Sequence, residues 1–300
     1  MFIIKHKKIF IGISATLVLI SLISLFTFGL HVGIDFKGGA LVEVVYNDTR
    51  PAQTDLKQPI EDLGFGSVLV QPTGDLGYII KTKDLTDAEH KSLLEILAQG
   101  NPDALTELSF NSIGPSVGHE LARKAILAII LVVLVIICFI AFAFRKVSRP
   151  VSSWKYGLIA ITALMHDVII PVGIFVALSR FYGAELDTLF VVAILTILGL
   201  SVSDTIVIFD RIRENLRSQS SAGKFNFSEI VGKSLEQSFV RSISTALTVI
   251  LVLLALFFFG PSTTRYFALM MTTGMFFGTY SSIFLASPLL VLAEEWQNKE

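Results

Sequence analysis

The chain is poor in three things that a soluble enzyme domain usually carries. Cysteine occurs once in 300 residues, at Cys138, so there is no intrachain disulfide and no cysteine metal cluster. Cys138 stands among Ile, Val and Leu and reads as a small apolar residue facing lipid or a neighbouring helix. Charge is thin: Asp, Glu, Lys and Arg make up 16% of the residues, against about 25% in a typical soluble domain. Neither sign dominates, with 24 basic and 25 acidic side chains, so the placement of charge matters more than its sum. Nucleotide motifs are missing too. Gly38-Gly39 lacks the Gly-Lys-Ser/Thr ending of a phosphate loop. No spacing suggests a Ser/His/Asp triad, no cofactor is implied, and nothing supports a nucleic-acid site.

What is abundant is apolar. Hydrophobic residues make up 53% and the mean hydropathy is +0.70. They gather in runs of about 20 residues, the length that crosses a bilayer. Six spans are expected, at residues 9–30, 125–144, 156–178, 189–209, 243–259 and 267–292. The first is too long for the apolar region of a signal peptide, about 7–15 residues. Thr27-Phe28-Gly29-Leu30 is also a poor cleavage site, so the run reads as a retained span.

The organisation expected is an N-terminus and first span at 1–30, a small α+β domain at 31–119, and a five-helix bundle at 120–300. Within 31–119, strands are expected at 40–46, 67–71, 78–83 and 106–113, with helices at 54–63 and after Thr86. Thr86-Asp87-Ala88-Glu89 fits a capping box. The order β-α-β-β-α-β predicts a ferredoxin-like fold. Arg145, Lys146, Arg149 and Lys155 follow the second span; Arg211, Arg213, Arg217, Lys224 and Lys233 follow the fourth. The short loops on the other side hold only Arg180 with Glu185 and Asp187, and then Arg265. This bias predicts that both termini are cytoplasmic and that the α+β domain lies on the outer face. Residues 228–240 read as an amphipathic helix along the cytoplasmic interface, leading into a short fifth span.

Asp204 stands out because it lies inside the fourth span. A carboxylate in hydrocarbon costs about 2.5–3.5 kcal/mol on insertion scales and needs a partner or a water-filled cavity. On the fifth helix Ser234, Gln237, Ser238, Arg241, Ser244, Thr245 and Thr248 recur at helical spacing as one polar stripe running from the interface into the membrane, expected to turn inward. Asp204 lies about 10 Å along its helix from Arg211, and Arg241 stands at the entrance of the next, antiparallel helix, so the two charges are expected to meet. Burial favours the neutral acid and an adjacent cation favours the carboxylate. A modest change in their separation would let Asp204 take up or release a proton. A structural ion pair that fixes helix packing is the alternative. In the third span, Asp167 reads either as a second proton-path carboxylate or as a buried, hydrogen-bonded packing group, and His166 as a satisfied interior histidine. Gly274-x-x-x-Gly278 on the sixth span is a helix-packing signal.

Six stretches in order carry a resemblance. They are Gly33-Ile34-Asp35-Phe36-Lys37-Gly38-Gly39, Gly114-Pro115-Ser116-Val117-Gly118, Ala163-Leu164-Met165-His166-Asp167, Ser203 through Glu214, Arg241-Ser242-Ile243-Ser244-Thr245 and Tyr280-Ser281-Ser282-Ile283-Phe284. With these the chain resembles the SecF family of protein-export membrane proteins, within the resistance-nodulation-division superfamily. The resemblance implies a twelve-span unit shared with SecD, association with the SecYEG channel, and a pull on the translocating polypeptide driven by protons. It also implies that Asp204 and Arg241 conduct protons. A proton-coupled small-molecule exporter and a non-catalytic assembly subunit are the competing readings.

Overall fold

The computed structural model describes residues 2–66, 68–145, 151–220 and 226–297, apart from the side chains of Gln219 and Ser220. The expected strand start at Ser67 and the loop cations Lys146, Arg149 and Lys224 lie outside the described residues. The main elements in chain order are α1 (Lys7–Phe28), β1 (Gly39–Tyr46), α2 (Gln53–Asp62), β2 (Leu69–Thr73), β3 (Gly77–Thr82), α3 (Asp87–Leu97), β4 (Leu105–Ile113), α4 (Pro115–Phe144), α5 (Ser153–Tyr182), α6 (Thr188–Ser220), α7 (Phe227–Phe259), α8 (Arg265–Ser281), a π-helical turn (Ser282–Ala286) and α9 (Ser287–Gln297). They form two compact units. One comprises Val32–Ile126 with Glu185–Thr188, and the other is made of membrane-length helices.

The first unit has the strand order β2-β3-β1-β4 with antiparallel neighbours, the ferredoxin-like arrangement. Strand alternation puts Ala40, Val42, Val44 and Tyr46 on one face. Leu56 and Ile60 of α2 and Leu93 and Leu97 of α3 close over that face, and all are buried. Each such side chain contributes about 1.5–3 kcal/mol by leaving water. The Tyr46 hydroxyl donates to the Leu97 carbonyl at 3.0 Å. Helix α3 starts where the capping box places it. The Glu89 amide donates to Thr86 Oγ1 and the Thr86 amide donates to Glu89 Oε2.

The glycines of the Gly38-Gly39 pair are fixed by close approach. Gly38 has φ +82, and a Cβ there would lie 2.7 Å from Pro115 Cα; Gly39 has φ +144, and its Cβ would lie 2.8 Å from the Thr82 carbonyl. Reciprocally, a Cβ on Gly118 would lie 2.8 Å from the Gly38 amide. The first turn of α4 therefore rests on this pair. Residues 185–188 are fastened to the same unit. The Gly33 amide donates to the Leu186 carbonyl at 2.8 Å, Lys81 pairs with Glu185 at 2.9 Å, and Asp35 Oδ2 accepts from the Thr188 amide at 2.9 Å and its hydroxyl at 2.6 Å. The Asp35 carboxylate thus satisfies an amide at the first residue of α6, where helices leave donors unpaired.

In the helical unit, α1 packs along α5, and α8 packs against α5 and α7. A Cβ on Gly173 would lie 2.4 Å from Ser21 Cβ, so only glycine permits that α1–α5 approach. Phe144, Tyr156 and Phe209 form an aromatic trio with centroids 5.4–5.6 Å apart, joining α4, α5 and α6. Along α4, Ile126, Ile130, Leu134 and Val135 are exposed, as a lipid-facing helix requires.

Two expectations need correction. Residues 228–240 are not a separate surface helix. They are the start of α7, one continuous 33-residue helix about 50 Å long, well beyond an apolar bilayer core of about 30 Å. Its first turns bury Ile230, Val231 and Leu235 and leave Lys233 and Glu236 exposed. The sixth span is not one regular helix either. Pro288 has no N–H for the Phe284 carbonyl, and the chain widens into the π-turn Ser282–Ala286, where Ser287 Oγ donates to the Ser282 carbonyl at 3.0 Å.

Two outcomes follow from the α+β unit. Gly38→Ala forces a Cβ against Pro115 in a left-handed conformation, and destabilises that unit by about 1–3 kcal/mol, read as faster limited proteolysis within residues 32–126 of the purified protein. The Lys83 ammonium, with the Thr86 amide and hydroxyl, holds the Glu89 carboxyl down at about 2, from an ordinary 4.5. A depressed carboxyl contributes above its unfolded value and loses that contribution as pH falls through the folded one, so the box persists above pH 4.5 and fails toward pH 2. A carbon-13 NMR titration of the Glu89 carboxyl checks this, with Lys83→Gln moving the midpoint upward.

Candidate functional site

Four helices and the π-turn converge on two carboxylates. Asp167, on α5, is fully buried. Its Oδ1 lies 2.8 Å from His166 Nδ1, and its Oδ2 accepts from Ser281 Oγ at 2.6 Å and from Ser201 Oγ. Asp204, on α6, is half-buried. Its Oδ1 accepts from Ser242 Oγ of α7 at 2.7 Å, and its Oδ2 accepts from Ser282 Oγ at 2.8 Å. Among the described residues neither carboxylate pairs with a lysine or arginine. Hydroxyl donors occupy the place that a cation was expected to take.

Helical geometry explains the placement of Arg241. Successive residues on a helix turn by about 100°. With Ser242 aimed at Asp204, Arg241 is rotated away and is exposed on the surface of this chain. The inward face of α7 is Ser234, Ser238 and Ser242, at spacing i, i+4 and i+8, all buried. The expected inward turn of the whole stripe is thus corrected. Ser244, Thr245 and Thr248 share the outward face with Arg241, and the Thr248 hydroxyl donates back to the Ser244 carbonyl at 2.6 Å. Lower on the same pair of helices, Asn215 Nδ2 donates to Ser234 Oγ and to Gln237 Oε1, both at 2.8 Å, and Arg211 Nε donates to Gln237 Oε1 at 2.7 Å. Gln237 therefore belongs to a clasp at the end of the spans.

The backbone contributes as well. Pro171 removes the N–H that would bond the Asp167 carbonyl four residues earlier. The π-turn sets Ser281 and Ser282 one after the other, so adjacent hydroxyls serve acids on two different helices. Each hydroxyl has one proton to give and two acceptors in reach. Ser281 Oγ lies 3.0 Å from the Gly278 carbonyl as well as near Asp167, and Ser282 Oγ lies 3.0 Å from the Thr279 carbonyl as well as near Asp204. An ionised carboxylate accepts the hydroxyl's hydrogen bond. A neutral carboxyl donates its own proton to the serine oxygen, and the hydroxyl then turns to the backbone carbonyl.

His166 is only partly satisfied: its Nδ1 meets Asp167, while Nε2 is buried with no hydrogen-bond partner among the described residues. Gly274 lies so close to α6 that a Cβ there would come within 2.3 Å of Ile197. Gly278 faces Ser201 with more room. Sequence reasoning did not assign roles to Ser201, Ser242, Ser281 and Ser282. The signal for Ser242 was its i+8 spacing from Ser234, and for Ser201 its position three residues, one helical turn, before Asp204.

Residues 93–296 match the family described as protein export membrane protein SecD/SecF, C-terminal, and residues 23–49 match the SecD/SecF GG motif. A protein translocase subunit SecF from Thermobaculum terrenum is 40% identical, covering 99% of this chain and 94% of the relative. Another from Anaerolinea thermophila is 37% identical over 99% and 96%. The crystal structure of SecDF from Thermus thermophilus, described as a translocon-associated membrane protein, superposes with a TM-score of 0.81 at 31% identity. The match covers 98% of this chain and 38% of the SecDF chain. With six helices among the described residues long and apolar enough to cross a membrane, this is a multi-pass protein of the bacterial inner membrane, and it belongs to the SecF family of SecD/SecF protein-export membrane proteins.

Proposed function

We propose that this chain is the SecF half of a proton-driven export unit. It pairs with SecD, associates with the SecYEG channel, and uses the proton-motive force to draw the translocating polypeptide outward in the late steps of export. Asp204 is the proton-carrying group, Arg241 its electrostatic partner in the working cycle, and Asp167 a second acid. Ser244, Thr245 and Thr248 line the relay beside Arg241. Both termini face the cytoplasm and the ferredoxin-like domain faces outward, as the Lys/Arg excess after α4 and α6 supports.

The observation that carries this reading is the setting of Asp204: a half-buried carboxylate inside a membrane-length helix, held by two hydroxyls. Such an acid changes charge without breaking an ion pair. The exposed face bearing Arg241, Ser244, Thr245 and Thr248 supports the SecD partnership. Lipid disfavours a cation and three hydroxyl groups on one face, and a partner's helices would cover them. Moving one charge across the membrane is worth about 2.3 kcal/mol per 100 mV, enough to bias a conformational equilibrium.

Asp204→Asn keeps size and hydrogen-bonding capacity but cannot carry a proton. Export driven by the proton-motive force is expected to fall by about 100-fold or more in inner-membrane vesicles, with the complex assembled at its normal level. Normal export from the assembled variant sinks the relay. Loss of the complex instead supports the assembly-subunit reading. Asp167→Ala strands the Ser201 and Ser281 hydroxyls and His166, and is expected to lower stability by about 1–3 kcal/mol. Thermal aggregation in detergent measures it, and Asp167→Asn should lose less.

A further inference from the structure

Beside Asp204 lies a small cavity of about 10 Å³, lined by Ser201, Asp204, Gly274, Gly278 and Thr279 among others. A volume of this order holds about one water molecule, and a water is retained where polar partners surround it. Three polar residues, Ser201, Asp204 and Thr279, are among its lining, and Ser201 already donates to Asp167 Oδ2. Ser201 and Asp204 are three residues apart on one helix face. The cavity therefore adjoins Asp204 and the serine that donates to Asp167.

We propose that Asp167 and Asp204 exchange a proton through the Ser201 hydroxyl and a single water held beneath Gly278. The proposal rests on the reading of Asp204 as the proton-carrying acid and adds the route by which its proton is shared. In one direction the Asp204 carboxyl gives its proton to the water, the water gives one of its own to Ser201 Oγ, and the Ser201 proton passes to Asp167 Oδ2. Asp204 becomes a carboxylate, Asp167 becomes neutral, and water and serine are regenerated. Both acids have defined neighbours among the described residues. Asp167 faces His166 on its own helix, Ser201 on α6 and Ser281 on α8; Asp204 faces Ser242 on α7 and Ser282 in the π-turn. His166 is the only titratable side chain hydrogen-bonded to either acid among the described residues.

Gly278 makes the idea testable without disturbing the fold. A Cβ there would meet Ser201 Cβ at 3.5 Å and Asp167 Oδ2 at 3.8 Å, ordinary contact distances. Gly278→Ala fills the cavity with a methyl group, whereas Gly278→Ser returns a hydroxyl to the space the water would occupy. Both are measured in the complete complex in inner-membrane vesicles, by proton-motive-force-driven export in H2O and D2O. Gly278→Ala is expected to slow export by about tenfold and to reduce the solvent isotope effect, and Gly278→Ser to restore most of the rate. A full rate from Gly278→Ala overturns the link, as does a serine variant no better than alanine, since simple packing predicts the larger side chain to be worse. Ser201→Ala cuts the same route independently, and a normal rate from it also overturns the proposal. Asp204→Asn in the same assay separates the two levels. If it is inactive while Gly278→Ala is normal, only the water link fails; if it is fully active, the reading of Asp204 fails.

Discussion

Hydroxyl-to-carboxylate hydrogen bonding inside the helical unit is the constraint around which the rest of that unit is arranged. Two acids placed in a low-dielectric interior must be satisfied, because an unpartnered buried charge costs far more than a hydrogen bond returns. The chain meets that demand with serines: Ser201 and Ser281 on Asp167, Ser242 and Ser282 on Asp204. Serine is small enough to let helices approach, and it satisfies a carboxyl group without adding a fixed charge. The close α8–α6 contact at Gly274 and the widened turn before Pro288 both bring those hydroxyls within reach.

The α+β unit solves a different problem, the attachment of a small domain to the chain on either side of it. Its anchor is steric. The backbone of Gly38-Gly39 lies where side chains would stand, so the start of α4 can rest directly on it. Asp35 and Lys81 then secure residues 185–188, which come from a distant part of the sequence. The same short motif thus organises the two ends of the unit and a segment 153 residues away.

Much of this was legible in the sequence. Apolar runs of bilayer length marked all six spans, because membrane insertion demands a contiguous signal. The capping box at Thr86 and the β-α-β-β-α-β order were local signals of the same kind. Asp204 and Asp167 were found because a carboxylate in such a run is costly. Their partners were not found. In this chain alone Ser242 faces Asp204 and Arg241 does not, a difference of one residue of helical phase that a reading by charge does not reveal. Ser281 and Ser282 were hidden because the turn that aims them depends on a π-helical widening, which three-dimensional packing and Pro288 impose together and no periodicity announces. The continuous length of α7 was obscured because its polar first turns look like a surface helix when read alone.

The adjacency of Ser281 and Ser282 has a mechanical meaning. One residue grips an acid on α5 and the next grips an acid on α6, and both sit where a regular helix gives way to a wider turn. Tightening or loosening that turn by a fraction of its pitch cannot alter one grip alone. The two acids share a single fastening, and the proline six residues beyond Ser282 keeps that fastening from relaxing into an ordinary helix.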